Sequence, residues 1–338
     1  MTNVPRNAKM KAWMALHKKR IFNMLLLVVF GCLLGMIITS LVPPKEDGVK
    51  CLIGVSQPNM TDNFELELYN DIGTQCRQYD SVRFVSYDAG HSLEKQKQDI
   101  DNLLKLGLDA LIVVTFEPEG LEARIQHAYD TGIPVIVIGY APQDTDYSMH
   151  IYTDNEAIGR MAGEYVRKLS NGRECTVLEI QGEPHSQITV DRKNGFFEGI
   201  APYPNITKEY VMTGYWSQEK TRERMYESDF FSKDPPINVI FAQNDMMALG
   251  AAVNLRQTRK SAYIISVGGY AVKNSDLSAI KEGLINATFT YPTGGAEAVQ
   301  AVMSLLDGSE VPKELALKSE LVNGNNIDVF LKAEEADS

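Results

Sequence analysis

Residues 237–255 read INVIFAQNDMMALGAAVNL. Val239, Ile240, Phe241 and Ala242 form a short apolar run of the kind buried on both faces of a parallel sheet, and residues 246–255 are helix formers without a proline. The change of period falls on Gln243, Asn244 and Asp245, which therefore stand at the carboxyl end of a strand. In an open α/β sheet, ligands bind beyond that edge. On this spacing Asp245 caps the helix and the Asn244 amide points into a cleft.

The same rhythm extends outward in both directions. Before it, strands are expected at residues 51–56, 82–87, 110–115, 135–138 and 150–153, with helices at 64–79, 93–106 and 118–131 between them. A second series follows: helix 155–169, strand 176–180, helix 191–200, strand 207–212, helix 219–230, the opening stretch, and strand 263–267. Residues 292–306 read as a returning helix and 315–321 as a last crossing. Strand-helix alternation of this kind builds parallel sheets with right-handed crossovers, so the fold class is α/β with two doubly wound lobes. The expected boundaries are 50–154 plus 292–318 for the first lobe and 155–291 plus 319–338 for the second, with crossings near Asp154, Tyr291 and Lys318 serving as a three-stranded hinge.

A length of 338 residues suits two lobes, and 44% hydrophobic with 23% charged residues is globular composition. The net charge of −11 is unevenly spread. Residues 1–42 carry Arg6, Lys9, Lys11, Lys18, Lys19 and Arg20 and no acid, which leaves 27 basic against 44 acidic residues, or −17, for the rest. So acidic a body argues against nucleic acid, whose phosphates must be neutralised by Lys and Arg.

Residues 21–42 contain no charge and are rich in Leu, Val, Ile and Met. As a helix they span about 33 Å, enough for a bilayer core of about 30 Å. Residues 1–20 then form a basic cytoplasmic tail, 21–42 one N-terminal transmembrane anchor, and 43–49 a short Pro- and charge-rich linker that leaves the body outside the cell membrane. Two other readings stand beside this one. A cleaved signal peptide meets a poor cleavage site at Ile38-Thr39-Ser40-Leu41, and a lipidated Cys32 follows a bulky Phe30. Each of them places the body on the same side of the membrane. The remaining cysteines, Cys51, Cys76 and Cys175, lack paired C-x-x-C spacing; a Cys51–Cys76 bridge is open to an exported protein, and burial as small apolar residues is the simpler reading.

Ala-Gln-Asn-Asp-Met-Met-Ala-Leu-Gly at 242–250 resembles the signature of the ribose-binding type of periplasmic sugar-binding protein. So do Gly-Val-Ser at 54–56, Gly-Leu-Asp-Ala-Leu-Ile-Val at 107–113, Gly-Ile-Pro-Val at 132–135 and Asp154-Asn155 followed by Gly159. Leu-Glu-Ile-Gln-Gly at 178–182, Asp-Arg-Lys-Asn-Gly-Phe at 191–196 and Ala-Ile-Lys-Glu-Gly at 279–283 complete the series. The resemblance covers roughly residues 50–312. It implies a solute held between two lobes and no reaction, with planar polar side chains meeting hydroxyl pairs and aromatic rings stacking on the sugar. The matching positions are Asp62, Phe64, Arg192, Trp216 and Asn244. Arg192 offers a donor fork, Asn244 a donor and an acceptor, and Phe64 and Trp216 stacking surfaces, while Asp62 also suits a helix cap.

Three departures from the pattern matter. Gly139-Tyr140 replaces an Asp-Arg pair, Tyr270 stands in Gly268-Gly269-Tyr270-Ala271 where Gly-Phe-Asp-Gly is expected, and Tyr291 matches a Gln. Tyr140, Tyr270 and Tyr291 would thus give a site with less charge and more ring surface, suited to a bulkier or less hydroxyl-rich solute than ribose. His185 lies in the loop before Asp191.

No metal and no cofactor is expected. G-x-S-x-G, H-E-x-x-H, P-loop and G-x-G-x-x-G motifs are missing from the sequence, which argues against an enzyme, and residues 1–49 offer no helix-turn-helix for a transcription regulator. The expected partners are the solute and either an ABC permease or a membrane sensor such as a histidine kinase or chemoreceptor, engaged by the closed form.

Overall fold

The structure, a computed structural model, describes residues 50–232, 234–268 and 276–331. The anchor, the linker and Tyr270 lie outside the described residues, among which no helix is long and apolar enough to cross a membrane.

The first lobe runs β1 (Cys51–Gln57), α1 (Asn63–Arg77), β2 (Val82–Asp88), α2 (Leu93–Leu104), β3 (Ala110–Thr115), α3 (Glu122–Asp130), β4 (Val135–Gly139) and β5 (Met149–Thr153). The second continues with α4 (Asn155–Ser170), β6 (Cys175–Gln181), α5 (Gln187–Ile200), β7 (Ile206–Thr213), α6 (Gln218–Glu227), β8 (Val239–Ala242), α7 (Asp245–Thr258), β9 (Tyr263–Gly268), α8 (Asp276–Lys281) and β10 (Ala287–Thr290). The chain then returns through α9 (Gly295–Leu306) and ends with β11 (Glu314–Leu317) and β12 (Leu321–Asn323).

Two six-stranded sheets result, ordered β11-β5-β4-β3-β1-β2 and β12-β10-β9-β8-β6-β7. Every pairing is parallel except β10 with β12. The strand order reverses between β1 and β3 and again between β6 and β8. That is the switch point where crossovers leave in opposite directions and a crevice opens at the carboxyl ends. The β3 and β8 runs are buried at every position, the burial on both faces that their unbroken apolar sequence requires. Each sheet is covered on both sides, Ile53, Val55, Ile112 and Ile136 facing α1 and α9 while Leu111, Val113 and Val137 face α2 and α3.

The end of the chain departs from the sequence pattern in one crossing that divides and in two short elements, β10 and α8, that the pattern does not predict. Residues 315–321 are two strands, β11 in the first sheet and β12 in the second, joined through Lys318-Ser319-Glu320. The short β10 and α8 carry too few residues for a periodic signal, and β10 is made a strand by its neighbours β9 and β12. Cys76 and Cys175 are buried free thiols, so Cys76 is not bridged to Cys51, and burial holds the Cys76 thiol up at about 11.

Candidate functional site

The site is assembled where the carboxyl ends of both sheets face each other. Its centre is Arg192 on α5, only 4% exposed. Its Nε donates to Asn155 Oδ1 at 2.9 Å, and its Nη1 donates to the Gln243 carbonyl at the end of β8. The guanidinium lies over the ring of Tyr291 at 4.7 Å and near that of Trp216 at 5.9 Å. No carboxylate stands within ion-pair distance of it among the described residues. Burial lowers its pKa from the ordinary arginine value, the nearby phenols opposing the shift. A buried cation stabilised by rings, the Tyr291 hydroxyl, neutral acceptors and the charge of Asp245 has more N–H groups than these partners use.

Tyr140, following β4, brings the first lobe to this centre. Its hydroxyl donates to Asp191 Oδ2 at 2.6 Å and accepts from Asn155 Nδ2 at 3.2 Å. Burial and the bond to Asp191 raise its pKa. The backbone behind it is tight: Gly139 adopts φ 102°, and a Cβ there would fall 2.2 Å from the Thr115 carbonyl oxygen. His150 Nε2, 2.8 Å from the Gly139 carbonyl, holds the same turn. Tyr291, just past β10, receives a third contact from Asn155 Nδ2, at 3.3 Å. Its ring lies 5.3 Å from that of Phe64, which also meets Phe116 edge-on at 5.6 Å. Phe64, Tyr140, Arg192, Trp216 and Tyr291 are thus brought into one cluster.

Trp216 is placed by an unusual backbone. Tyr215 and Trp216 have φ of 54° and 58°, a left-handed region that non-glycine residues visit at a cost. Two contacts hold them there. Asn244 Nδ2 donates to the Trp216 carbonyl at 3.1 Å, and the indole lies on Gly182, where a Cβ would fall 1.9 Å from the ring.

Asn244 corrects the sequence reading of the opening stretch. It, and not Asp245, is the N-cap of α7, its Oδ1 accepting from the Met247 amide at 2.8 Å. Asp245 is turned inward, 3% exposed, and its Oδ1 accepts from Ser266 Oγ and, at 2.7 Å, from Thr288 Oγ1. Both residues have capping chemistry; the hydroxyls of β9 and β10 draw the carboxylate beneath the sheet edge and leave the cap to the amide.

Asp62 precedes α1 as its N-cap residue but makes no side-chain capping bond. It is exposed and accepts from Asn59 Nδ2 at 3.2 Å. His185 is exposed and stands outside the cluster. Among the described residues no group of three or more His, Cys, Asp or Glu side chains is arranged to hold a metal.

Sequence reasoning passed over Asn155 and Asp191 as site residues, although both lie in quoted motifs, because neither carries a stacking face or a fork. It also missed Glu179, which is fully buried: its Oε1 accepts from Gln243 Nε2 at 2.9 Å, and its Oε2 pairs with Lys208 Nζ at 2.7 Å. A carboxylate inside an otherwise apolar strand was the signal.

Residues 53–310 match the family model described as a periplasmic binding protein domain. The chain is 26% identical over 280 residues to the ribose import binding protein of Bacillus subtilis, a match covering 81% of this chain and 88% of that one. It is 27% identical over 237 residues to the galactofuranose-binding protein of Escherichia coli, covering 68% and 74%. Among solved structures, the fructose-binding periplasmic domain of a hybrid two-component system superimposes with a TM-score of 0.75 at 25% identity, covering 85% of this chain and 95% of that one. Strand order, cleft position and these matches agree: the chain belongs to the periplasmic binding proteins, in their ribose-type sugar-binding branch.

Proposed function

We propose that this protein binds a sugar or a sugar-like polyol reversibly between its lobes and presents the closed, loaded form to an ABC importer. The observation that carries the reading is the convergence of Arg192 with the rings of Trp216, Tyr291 and Phe64 and the hydroxyl of Tyr140 at the facing sheet edges. A guanidinium with unused donors recognises adjacent hydroxyls, and the rings supply the apolar surface on which a furanose or pyranose face stacks. Tyr140 and Tyr291 favour a solute with more apolar face than ribose presents. Asn244, engaged in capping, retains one N–H and one lone pair for it.

Residues 21–42 would anchor the chain in the cell membrane by a single span and keep the lobes outside the cytoplasm. A fixed receptor also suits sensing, and the likeness to a domain of a hybrid two-component system supports a second reading in which the closed form acts on a membrane kinase. Neighbouring permease and ATPase genes favour delivery; a kinase and regulator pair favours sensing.

The test is calorimetric titration and thermal unfolding of the full chain in mild detergent with D-ribose, D-fructose, L-arabinose, xylitol and myo-inositol. Ligand at a hundredfold excess over Kd adds about 2.7 kcal/mol to the native state, a readable rise in melting temperature. One of these solutes should give that rise, and Trp216→Ala should remove it. A chain indifferent to all five, in both heat and melting temperature, speaks against the proposal.

A further inference from the structure

Asn155 occupies a position that neither cap nor core packing accounts for. It is the first residue of α4, immediately past the crossing from β5 into the second lobe, and is 4% exposed. Capping is performed by its neighbour, Asp154, whose Oδ1 accepts from the Ala157 amide at 2.8 Å. The Asn155 amide is thereby left to the cleft. Its Oδ1 takes the Nε of Arg192, and its Nδ2 faces three acceptors: the Tyr140 hydroxyl, the Tyr291 hydroxyl and the Thr153 carbonyl, at 3.2, 3.3 and 3.3 Å. One side chain at a crossing therefore touches a cleft residue from the first lobe, one from the second and one from the second crossing.

The backbone of Arg192 is fixed to the same helix. A Cβ at Gly159 would lie 2.2 Å from the Arg192 carbonyl oxygen, and one at Gly195 would lie 1.9 Å from the Glu156 carbonyl oxygen, so α4 and α5 meet main chain to main chain. Asn155 and Arg192 consequently move as one body with the second lobe. Tyr140 belongs to the other body. Rotation about the crossing alters the Asn155–Tyr140 separation while leaving Asn155–Arg192 unchanged.

We propose that Asn155 is a positioning residue, one that orients the Arg192 guanidinium and registers it against Tyr140 and Tyr291 as the lobes close; this rests on the cleft being the ligand site. Without the amide, Arg192 loses the acceptor that fixes its Nε and the two phenols lose their common donor. The guanidinium then leaves the indole of Trp216.

Trp13 and Trp216 are the two tryptophans of the chain, so Trp13→Phe makes Trp216 the sole emitter. In that background, Asn155→Leu and Asn155→Asp are compared with the parent by Trp216 emission and acrylamide quenching without sugar, and by titration with D-ribose and D-fructose. Asn155→Leu should shift the emission and increase quenching, and should weaken whichever sugar binds by about 10- to 100-fold. Asn155→Asp keeps an oxygen for Arg192 and should hold the parental emission, a rescue that mere loss of packing would not give. Parental emission and quenching in Asn155→Leu overturn the proposal whether or not either sugar binds. If Arg192→Leu abolishes sugar binding and Asn155→Leu leaves it within about threefold of the parent, the positioning role is wrong and the cleft stands. If Arg192→Leu also binds as the parent does, the site itself is misplaced.

Discussion

The two lobes share a strand order and differ in how their buried polar groups are connected. In the second lobe they form one continuous chain: Lys208 to Glu179, Glu179 to Gln243, the Gln243 carbonyl to Arg192, and Arg192 to Asn155. In the first the chain is shorter and stops at Glu65: Ser86 Oγ donates to Gln57 Oε1 at 2.9 Å, and Asn59 Nδ2 to Glu65 Oε1 at 3.2 Å. Gln96 donates to the Val114 carbonyl at 2.8 Å and Gln57 to the Glu65 carbonyl at 2.9 Å, while the Oε2 of buried Glu65 has no partner. Helix packing differs in the same sense. The glycines of α4 and α5 lock those helices backbone to backbone, with Cβ positions as near as 1.9 Å to a carbonyl oxygen; in the first lobe a Cβ at Gly295 of α9 would lie 2.9 Å from the Leu68 carbonyl oxygen, and one at Gly73 of α1 would make only ordinary contact, 3.5 Å from Arg77 and Phe84. The polar chain of the second lobe ends at the cleft, and the first lobe brings to it Phe64 from the first turn of α1 and Tyr140 from the end of β4. A chain of polar groups that each find a partner fixes one geometry along its length.

The most severe way to break this contrast is at the glycine contact. Gly195→Ala drives a methyl group into the Glu156 carbonyl, and neither backbone can yield alone, so a loss of about 3 kcal/mol or more is expected in chemical denaturation. The matching change in the first lobe, Gly73→Ala, meets no clash and gains helix propensity, so its unfolding free energy should stay the same or rise by up to about 1 kcal/mol. Equal losses at both glycines would erase the distinction between the lobes.

Lys208→Met tests the polar chain at its outer end. The ammonium is buried against Glu179 and lies 3.5 Å above the Phe197 ring. Its removal leaves a fully buried carboxylate held by the amides of Gln181 and Gln243 alone, and about 3 kcal/mol of stability should be lost. Restoration of most of that loss in the double variant Glu179→Gln/Lys208→Met would show that the uncompensated charge is the cause.

Glu65 sharpens the comparison with the opposite sign and a smaller effect. Burial, followed by the charge of Asp62, raises its carboxyl to about 7 in the folded chain, above the ordinary 4.5 of the unfolded one. The folded state therefore binds the extra proton between those values, and stability falls as pH rises through that window. Glu65→Gln cannot ionise. It should be more stable than the parent at pH 8 by up to about 3 kcal/mol and close to it at pH 4, as read from urea midpoints at the two values. A variant equally displaced at both pH values would assign the effect to packing.

Much of this was legible in the chain itself. The unbroken apolar runs of β3 and β8 and the regular alternation about them determine two doubly wound sheets, because only burial on both faces accommodates such strands. Arg192, Trp216 and Phe64, matched through the resemblance, and the tyrosines at 140 and 291, marked as departures from it, meet at one crevice in the fold. Other features were decided by tertiary structure. Asn244 and Asp245 are adjacent residues with the same capping chemistry, and only Ser266 and Thr288, both distant in sequence, settle which caps and which is buried. Asn155 reads as an ordinary helix start until Tyr140, Tyr291 and Arg192 gather around it. Periodicity records which face of an element is buried; the partner a polar group finds depends on contacts between segments up to 222 residues apart, which no local pattern encodes.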